Sequence, residues 1–204
     1  MNFLLLCVYG MGHISLCHLC ISALVLMLLS ACTQTLTPKP RDYFRITFPE
    51  KHYERISAQL PYSFEMPQYC TLEQETSRGA DKYWTNVVFD KMDAKIHLSF
   101  KYIENNLDTL IDDSHTLAYK HTIKADAIEK KYYVNDTTNV FAMVYNIKGN
   151  VASPIQFFAT DSVKCFLRGS LYFNATPNKD SIAPVLDFVA QDITQLLETL
   201  RWEK

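Results

Sequence analysis

Apolar and polar residues alternate most regularly between residues 94 and 102. Ile96, Leu98 and Phe100 are separated by polar residues, and this period of two predicts a strand with one buried and one solvated face. Shorter runs rich in aromatic and β-branched residues predict further strands, and most are bounded by typical turn residues such as proline, asparagine or aspartate. These predicted strands are residues 43–48, 62–66, 84–89, 131–135, 140–147, 155–160 and 165–174.

The apolar period changes to that of a helix in two segments. The first segment follows Asn106, which we expect to cap it. The second has Asp180 and Ser181 as cap candidates and places Pro184 in its first turn, where a helix tolerates proline. The predicted apolar face of the first helix contains Leu107, Leu110, Ile111, Ser114, Leu117, Ala118 and His121, and that of the second contains Leu186, Val189, Ala190, Ile193, Leu196, Leu197 and Leu200.

This order of elements predicts an α+β fold. Strands joined by short turns pair in the antiparallel direction, and two amphipathic helices need a sheet face to cover. We therefore expect a mostly antiparallel sheet with both helices packed on it. The element order resembles the PsbP/Mog1-like sandwich, a likeness that implies no function.

The N-terminal segment differs from the rest of the chain in charge. The chain has 20 Lys+Arg and 22 Asp+Glu, and none of them lies in residues 1–31. An apolar run at residues 21–29 leads into Ser30-Ala31-Cys32, which resembles the lipobox of bacterial lipoproteins. The resemblance implies that residues 1–31 are a cleaved signal peptide and that the Cys32 sulfur carries lipid. The usual Lys or Arg before the apolar run is missing, so an uncleaved anchor with Cys32 as a plain cysteine is the alternative.

The segments after Cys32 predict a tether and one domain. Residues 32–41 contain Pro38 and Pro40 and show no apolar period, which indicates a lipidated, extended tether. Residues 42–204 have a length typical of a single globular domain with a sizeable core.

Two of the six cysteines lie in this domain, Cys70 and Cys165. An exported protein can join them in a disulfide if their Cα atoms lie within about 7 Å. Two separate buried thiols are the favoured alternative, because both cysteines sit in apolar, strand-like sequence.

The candidate chemistry is sparse. A net charge of -2 with interspersed signs argues against a nucleic-acid partner. There is no glycine-rich phosphate loop, nucleophile elbow or Cys/His metal spacing, so we expect no cofactor, no metal and no small-molecule substrate. His115 and His121 point away from each other on the predicted helix, which argues against a helical metal site. A hydrolase with His121 as its base is the least favoured class.

Segments spread over nearly the whole mature chain resemble the gliding-motility-associated lipoprotein GldD family of Bacteroidetes. The segments that carry the resemblance are residues 38–46, 94–99, 113–114, 117–122, 124–128, 147–150, 156–158, 160–162, 166–173 and 177–181.

The resemblance implies a membrane-anchored, non-catalytic structural or assembly component of the gliding motility and type IX secretion apparatus. Its expected partners are other proteins of that machinery and the membrane that holds its lipid, and no catalytic residues carry over. The residue after Cys32 is Thr33 and no acidic run follows, so we expect the periplasmic face of the outer membrane. The alternative function is a periplasmic lipoprotein that binds cell wall or glycan.

Polar residues within the matching segments suggest a partner-binding patch, with helix capping and ordinary salt bridges as the simpler interpretation. Two further sites, Thr137 and Ser162, follow aspartates in predicted turns and fit short O-glycosylation motifs, with turn chemistry as the alternative. The candidate patch contains Lys120, His121, Lys124, Asp126, Arg168, Asn178, Lys179 and Asp180.

Overall fold

The computed structural model describes residues 46–56, 59–120, 122–174 and 176–203. Contacts divide the chain into two units, residues 1–42 and residues 43–204, and all described residues belong to the second. The predicted signal peptide, Cys32 and the predicted tether lie outside the described residues.

The described residues form an α+β fold, as the element order predicts. A seven-stranded antiparallel sheet has the order β4-β5-β6-β10-β9-β8-β7, and two small ribbons pair β1 with β3 and β2 with β11. In chain order the elements are β1 (Tyr53–Arg55), β2 (Tyr62–Ser63), β3 (Glu65–Pro67), β4 (Thr71–Gln74), β5 (Thr85–Phe89), β6 (Ala94–Tyr102), α1 (Leu107–Tyr119), β7 (Ala125–Asn135), β8 (Val140–Gly149), β9 (Ile155–Thr160), β10 (Cys165–Phe173), α2 (Lys179–Thr199) and β11 (Arg201–Trp202).

The main core lies between the sheet and α2. The apolar side chains of β6 point to this side, as their alternation predicts, and they pack with the apolar face of α2. Cys70 and Cys165 are both buried here as free thiols, so the separate-thiol alternative is confirmed. The main members of this core are Ile96, Leu98, Phe100, Phe157, Leu167, Leu171, Val189, Ile193, Leu196 and Leu197.

The opposite face of the sheet is divided into two parts. α1 packs against β9 and β10, and Leu110 and Ala118 lie in a smaller apolar cluster with Phe158 and Phe166. Towards β5 and β6 the same face carries polar side chains instead. α1 is short, so it covers the apolar part of this face and leaves the polar part near β5 and β6 uncovered.

Several local predictions were wrong. Residues 46–48 are not a strand, since Phe48 instead stacks on Phe188 of α2 at 4.4 Å between ring centroids. The strand predicted at residues 62–66 is interrupted at Phe64 and contributes to both ribbons. β1, β4 and β11 were not predicted, because each has only two to four residues.

The helix ends also differ from the predictions. α2 begins at Lys179, because the Asn178 side chain accepts hydrogen bonds from the backbone amides of Asp180 and Ser181, so Pro184 lies in the second turn. Asn106 makes no side-chain capping bond to α1. Leu117, placed on the apolar face by the sequence, is 36% exposed.

Candidate functional site

A row of polar side chains crosses the α1 side of the sheet where the helix does not cover it. Asn86 of β5 is in register with His97 of β6, His97 with Ser170 of β10, and Ser170 with Gln156 of β9. Side chains directly opposite each other on neighbouring strands share a face. The register alone therefore aligns four polar residues across the middle of the sheet.

Three residues of this row, Asn86, His97 and Ser170, line a cavity of about 380 Å³, which we call the Arg168 groove. Pockets for small ligands typically have about 300–1,000 Å³, so the groove lies at the small end of that range. A second cavity of about 180 Å³ continues from it under α1, and Trp84, Ser99 and Arg168 line both cavities. The first cavity is lined by Glu75, Ser77, Trp84, Asn86, His97, Leu98, Ser99, Arg168, Ser170 and Tyr172.

Polar atoms without partners concentrate in this groove. Within the described residues, four buried side-chain polar atoms lack a hydrogen-bond partner, and three belong to the groove: Trp84 Nε1, Asn86 Oδ1 and Ser170 Oγ. Asn86 is 4% exposed and Ser170 is 2% exposed. A buried polar group without a partner is destabilising, so three in one place make this groove the candidate binding site.

Among the described residues, Arg168 is the only cationic side chain that lines the larger of these two cavities. Its Nη2 donates a 2.7 Å hydrogen bond to Oε1 of Gln156, a neutral partner. Burial lowers the pKa of the guanidinium, which nevertheless stays charged at neutral pH. Across the described part of the chain, no carboxylate forms an ion pair with Arg168.

Glu75 provides a carboxylate elsewhere in the groove. Its Oε2 accepts a 2.9 Å hydrogen bond from Nδ2 of Asn86, and this bond and the Ser77 amide lower the Glu75 pKa to about 2. Burial lowers the His97 pKa, Lys95 adds to this effect, and Glu75 opposes it. At neutral pH the groove therefore holds an ionised Glu75, a neutral His97 and a charged Arg168.

Ser170, His97 and Glu75 are the residue types of a hydrolase triad, but their geometry is not that of a triad. Ser170 Oγ makes no hydrogen bond, and Nδ1 of His97 is 3.7 Å from Oε2 of Glu75. A serine nucleophile needs a base within hydrogen-bond reach, and the base needs an orienting partner. The arrangement can bind a polar ligand, and it lacks the contacts that would activate a nucleophile.

The structure separates the residues of the sequence-predicted patch. Arg168 lies on the α1 side of the sheet, whereas Lys179 and Asp126 form a 2.6 Å ion pair at the groove between β7 and α2. Asn178 caps α2, and Asp180 lines the same groove as Lys179. Lys120 and Lys124 are exposed near the end of α1, and His121 lies outside the described residues.

Both candidate glycosylation residues are exposed in turns. Thr137 lies between β7 and β8, where its backbone amide donates to Oδ1 of Asn135. Ser162 lies between β9 and β10 with a positive φ of 65°. Oδ1 of Asp161 accepts from the backbone amides of Val163, Lys164 and Cys165, an arrangement typical of an aspartate that stabilises a turn.

A second polar cluster, centred on Asp192 of α2, joins the first described segment to the helix. Asp192 is 3% exposed and its carboxylate accepts hydrogen bonds from Lys51 Nζ at 2.5 Å, Tyr53 OH at 2.7 Å and Tyr69 OH at 2.6 Å. Lys51 Nζ also lies 3.7 Å from the centroid of the Phe188 ring. All donors of the carboxylate come from the protein itself, so we interpret this cluster as structural.

Sequence reasoning identified Arg168 but missed the rest of its groove. The sequence contained one indication of the groove, because Arg168 and Ser170 interrupt the otherwise apolar strand β10. Asn86 and Trp84 carry no comparable signal, since their significance depends on the register of β5 with β6.

The described residues offer no alternative site of two common kinds. They contain no group of three or more His, Cys, Asp or Glu side chains arranged to hold a metal ion. No helix in these ranges combines the length and apolar character required to cross a bilayer.

Comparisons with known proteins give a family and a structural neighbour. The sequence profile described as gliding motility lipoprotein GldD matches residues 33–202. No curated protein sequence matches the chain. The chain is similar to the solution structure of cyanobacterial PsbP (CyanoP) from Synechocystis sp. PCC 6803, with 13% identity and a TM-score of 0.41, covering 71% of this chain and 92% of that chain.

Proposed function

The chain belongs to the gliding motility lipoprotein GldD family, and from this premise we propose that it is a non-catalytic assembly component of the gliding motility and type IX secretion apparatus. In this role the domain binds another part of the machinery through the Arg168 groove. The lipid on Cys32 holds the domain at the periplasmic face of the outer membrane.

The observation that supports a binding role most directly is the set of unpaired polar atoms in the groove. Trp84 Nε1, Asn86 Oδ1 and Ser170 Oγ are buried without partners in one small cavity. A fold retains such a set against its own stability when a ligand satisfies the atoms. The missing contacts between Ser170 and His97 favour binding over hydrolysis.

The groove also divides the sequence-predicted patch into a part that we propose to be functional and a part with a structural explanation. Arg168 faces the groove without a carboxylate partner in the described residues. Lys179 is engaged by Asp126, and Asn178 caps α2, so both already have local partners.

A matched pair of substitutions in the native host tests this proposal. Arg168→Gln should reduce colony spreading, secretion and crosslinking to machinery proteins, because it removes the charge from the groove. Lys179→Gln removes a charge from an exposed ion pair, a type of contact worth about 0–1 kcal/mol, and should leave all three readouts unchanged. Protein amounts must be equal in the two strains and the wild type.

A third strain, Cys32→Ser, tests the anchor. It should fail to incorporate radiolabelled palmitate, move from the membrane fraction to the soluble fraction and lose motility. Normal motility and secretion in the Arg168→Gln strain would contradict the binding role, and palmitate incorporation in the Cys32→Ser strain would contradict the anchor.

A further inference from the structure

The charges and polar atoms of the Arg168 groove restrict what it can bind. The inference drawn from them rests on the proposed function, since it concerns the chemistry of the ligand that the proposed binding surface takes. Its starting point is the Arg168 guanidinium, a half-buried cation whose hydrogen-bonded partner in the described residues is the neutral Gln156. A partly desolvated charge is stabilised by an opposite charge, and no carboxylate of the described residues forms an ion pair with Arg168, so an anionic ligand would supply it.

The geometry of the donors favours a carboxylate as that anion. A guanidinium presents two parallel N–H groups that match the two oxygens of a carboxylate. Trp84 and Arg168 line both the main cavity and its extension under α1, so the unpaired indole N–H adds a donor on the same part of the wall. Ser170, whose hydroxyl is also unpaired, lies on the same strand as Arg168.

The same groove holds an acceptor that a simple anion would not use. Asn86 Oδ1 is buried and unpaired, while Nδ2 of this amide is already engaged by Glu75. A ligand that satisfies both Arg168 and Asn86 needs a carboxylate together with an N–H donor. The last residue of a peptide has both groups, one on each side of its Cα atom, and the cavity of about 380 Å³ suits a short ligand.

We infer that the Arg168 groove binds the free C-terminal carboxylate of a peptide, with the carboxylate on Arg168, Trp84 and Ser170 and a peptide N–H on Asn86. Glu75 holds the Asn86 amide so that its oxygen faces the ligand. Capture of a terminal carboxylate is a known mode of peptide recognition.

Calorimetric titration of the full-length lipoprotein in detergent tests the inference. The probes are N-acetyl-L-alanyl-L-alanine, the corresponding D,D compound and the C-terminal amide of each. The acid should bind. The affinity of its amide should be lower by about tenfold or more, because a charge-assisted hydrogen-bond pair is lost. Binding of the L,L acid points to a protein C-terminus as the source, and binding of the D,D acid points to a cell-wall stem peptide. Either acid supports the inference, whereas binding of the D,D acid alone would contradict a machinery protein as the partner in the proposed function.

Two variants connect the binding to the groove. Arg168→Gln should weaken binding of the acid by about tenfold or more, whereas Arg201→Gln, at an exposed arginine in β11, should leave it unchanged. Ser170→Ala should weaken binding without lowering the unfolding temperature, because the hydroxyl has no partner in the protein. Ser170→Ala keeps the test valid if Arg168→Gln folds poorly.

Three results would overturn the inference: equal affinity for acid and amide, binding of neither, or unchanged acid binding by Arg168→Gln. A protein that binds the acid while Arg168→Gln leaves motility and secretion intact would contradict the proposed function alone. The two claims can therefore fail separately.

Discussion

At the residue scale, Gly169 shows how closely the centre of the sheet is packed. It lies in β10 directly opposite Phe157 of β9, and a Cβ built on Gly169 would overlap the Phe157 ring. Gly169 does not have a positive φ, so glycine is required here because a side chain has no room and not because of the backbone conformation. Glycine inside a strand often marks such a close approach.

We predict that Gly169→Ala lowers the free energy of unfolding by roughly 1–3 kcal/mol, because the added methyl group displaces the fully buried Phe157 ring. Urea titration of the purified protein measures the loss. The Phe157→Leu background is the control, since it removes the ring. The effect of Gly169→Ala should be smaller there, and an equal loss in both backgrounds would exclude the steric explanation.

The predictability of single residues depends on whether the relevant neighbour is close in sequence. The sequence predicted Arg168 as a site residue because it is a polar residue within a segment that resembles the GldD family. Its proposed partners Trp84 and Asn86 come from a distant part of the chain, and register places them beside it. Lys179 and Asn178 were grouped with Arg168 because all three are polar residues within matching segments, and the sheet separates them from it.

At the element scale, the first described segment and α2 are joined by a buried carboxylate. Asp192 accepts hydrogen bonds from Lys51, Tyr53 and Tyr69, and Phe48 and Lys51 both pack on the Phe188 ring. The sequence predicted a strand around Phe48. These long-range contacts with α2 explain why residues 46–48 are irregular instead.

Asp192→Asn should lower the free energy of unfolding by about 3 kcal/mol, because it leaves the Lys51 ammonium without its buried counterion. Asp187→Asn changes the same residue type on the same helix at an exposed position. It should alter stability by no more than about 0.5 kcal/mol. Equal effects of the two substitutions in urea titrations would show that the network contributes little.

Elements with a regular period were predicted better than short or irregular ones, and of β7, Ala125–Asn135, only residues 131–135 were predicted as a strand. The strand at residues 94–102 was predicted with its ends correct, because nine residues of alternation leave little doubt about period and face. β1 and β11 have three and two residues, which is too short for a period to be read. Their pairing depends on partners elsewhere in the chain, Glu65–Pro67 for β1 and Tyr62–Ser63 for β11.

At the scale of the whole domain, the two faces of the sheet have different roles. The α2 face holds the main core, whereas the α1 face combines a small apolar cluster with the polar groove. The α+β class and the antiparallel sheet were predictable, since they follow from local periods and short turns. The division of the α1 face was not, because it depends on where α1 packs along the sheet.

Buried tyrosines make the stability of this domain sensitive to high pH. Burial raises the pKa of Tyr62 to about 12, although its hydrogen bond with Thr85 opposes the shift. Burial, followed by the hydrogen bond to Asp192, raises the pKa values of Tyr53 and Tyr69. The ordinary tyrosine pKa is 10.0, so above that pH the unfolded chain loses protons that the folded chain keeps.

The sign follows from this difference: the tyrosine contribution to stability is fully present below about pH 10 and is lost as pH rises towards the folded pKa values. We predict that the free energy of unfolding falls from about pH 10 upward, with Tyr62 contributing up to about 1.4 kcal/mol per pH unit. Urea titrations between about pH 8 and about pH 11 measure the slope. Tyr62→Phe should make the slope shallower, whereas Tyr132→Phe, at a residue that is 74% exposed, serves as the control. An identical slope in Tyr62→Phe and wild type would mean that the alkaline loss arises from other groups.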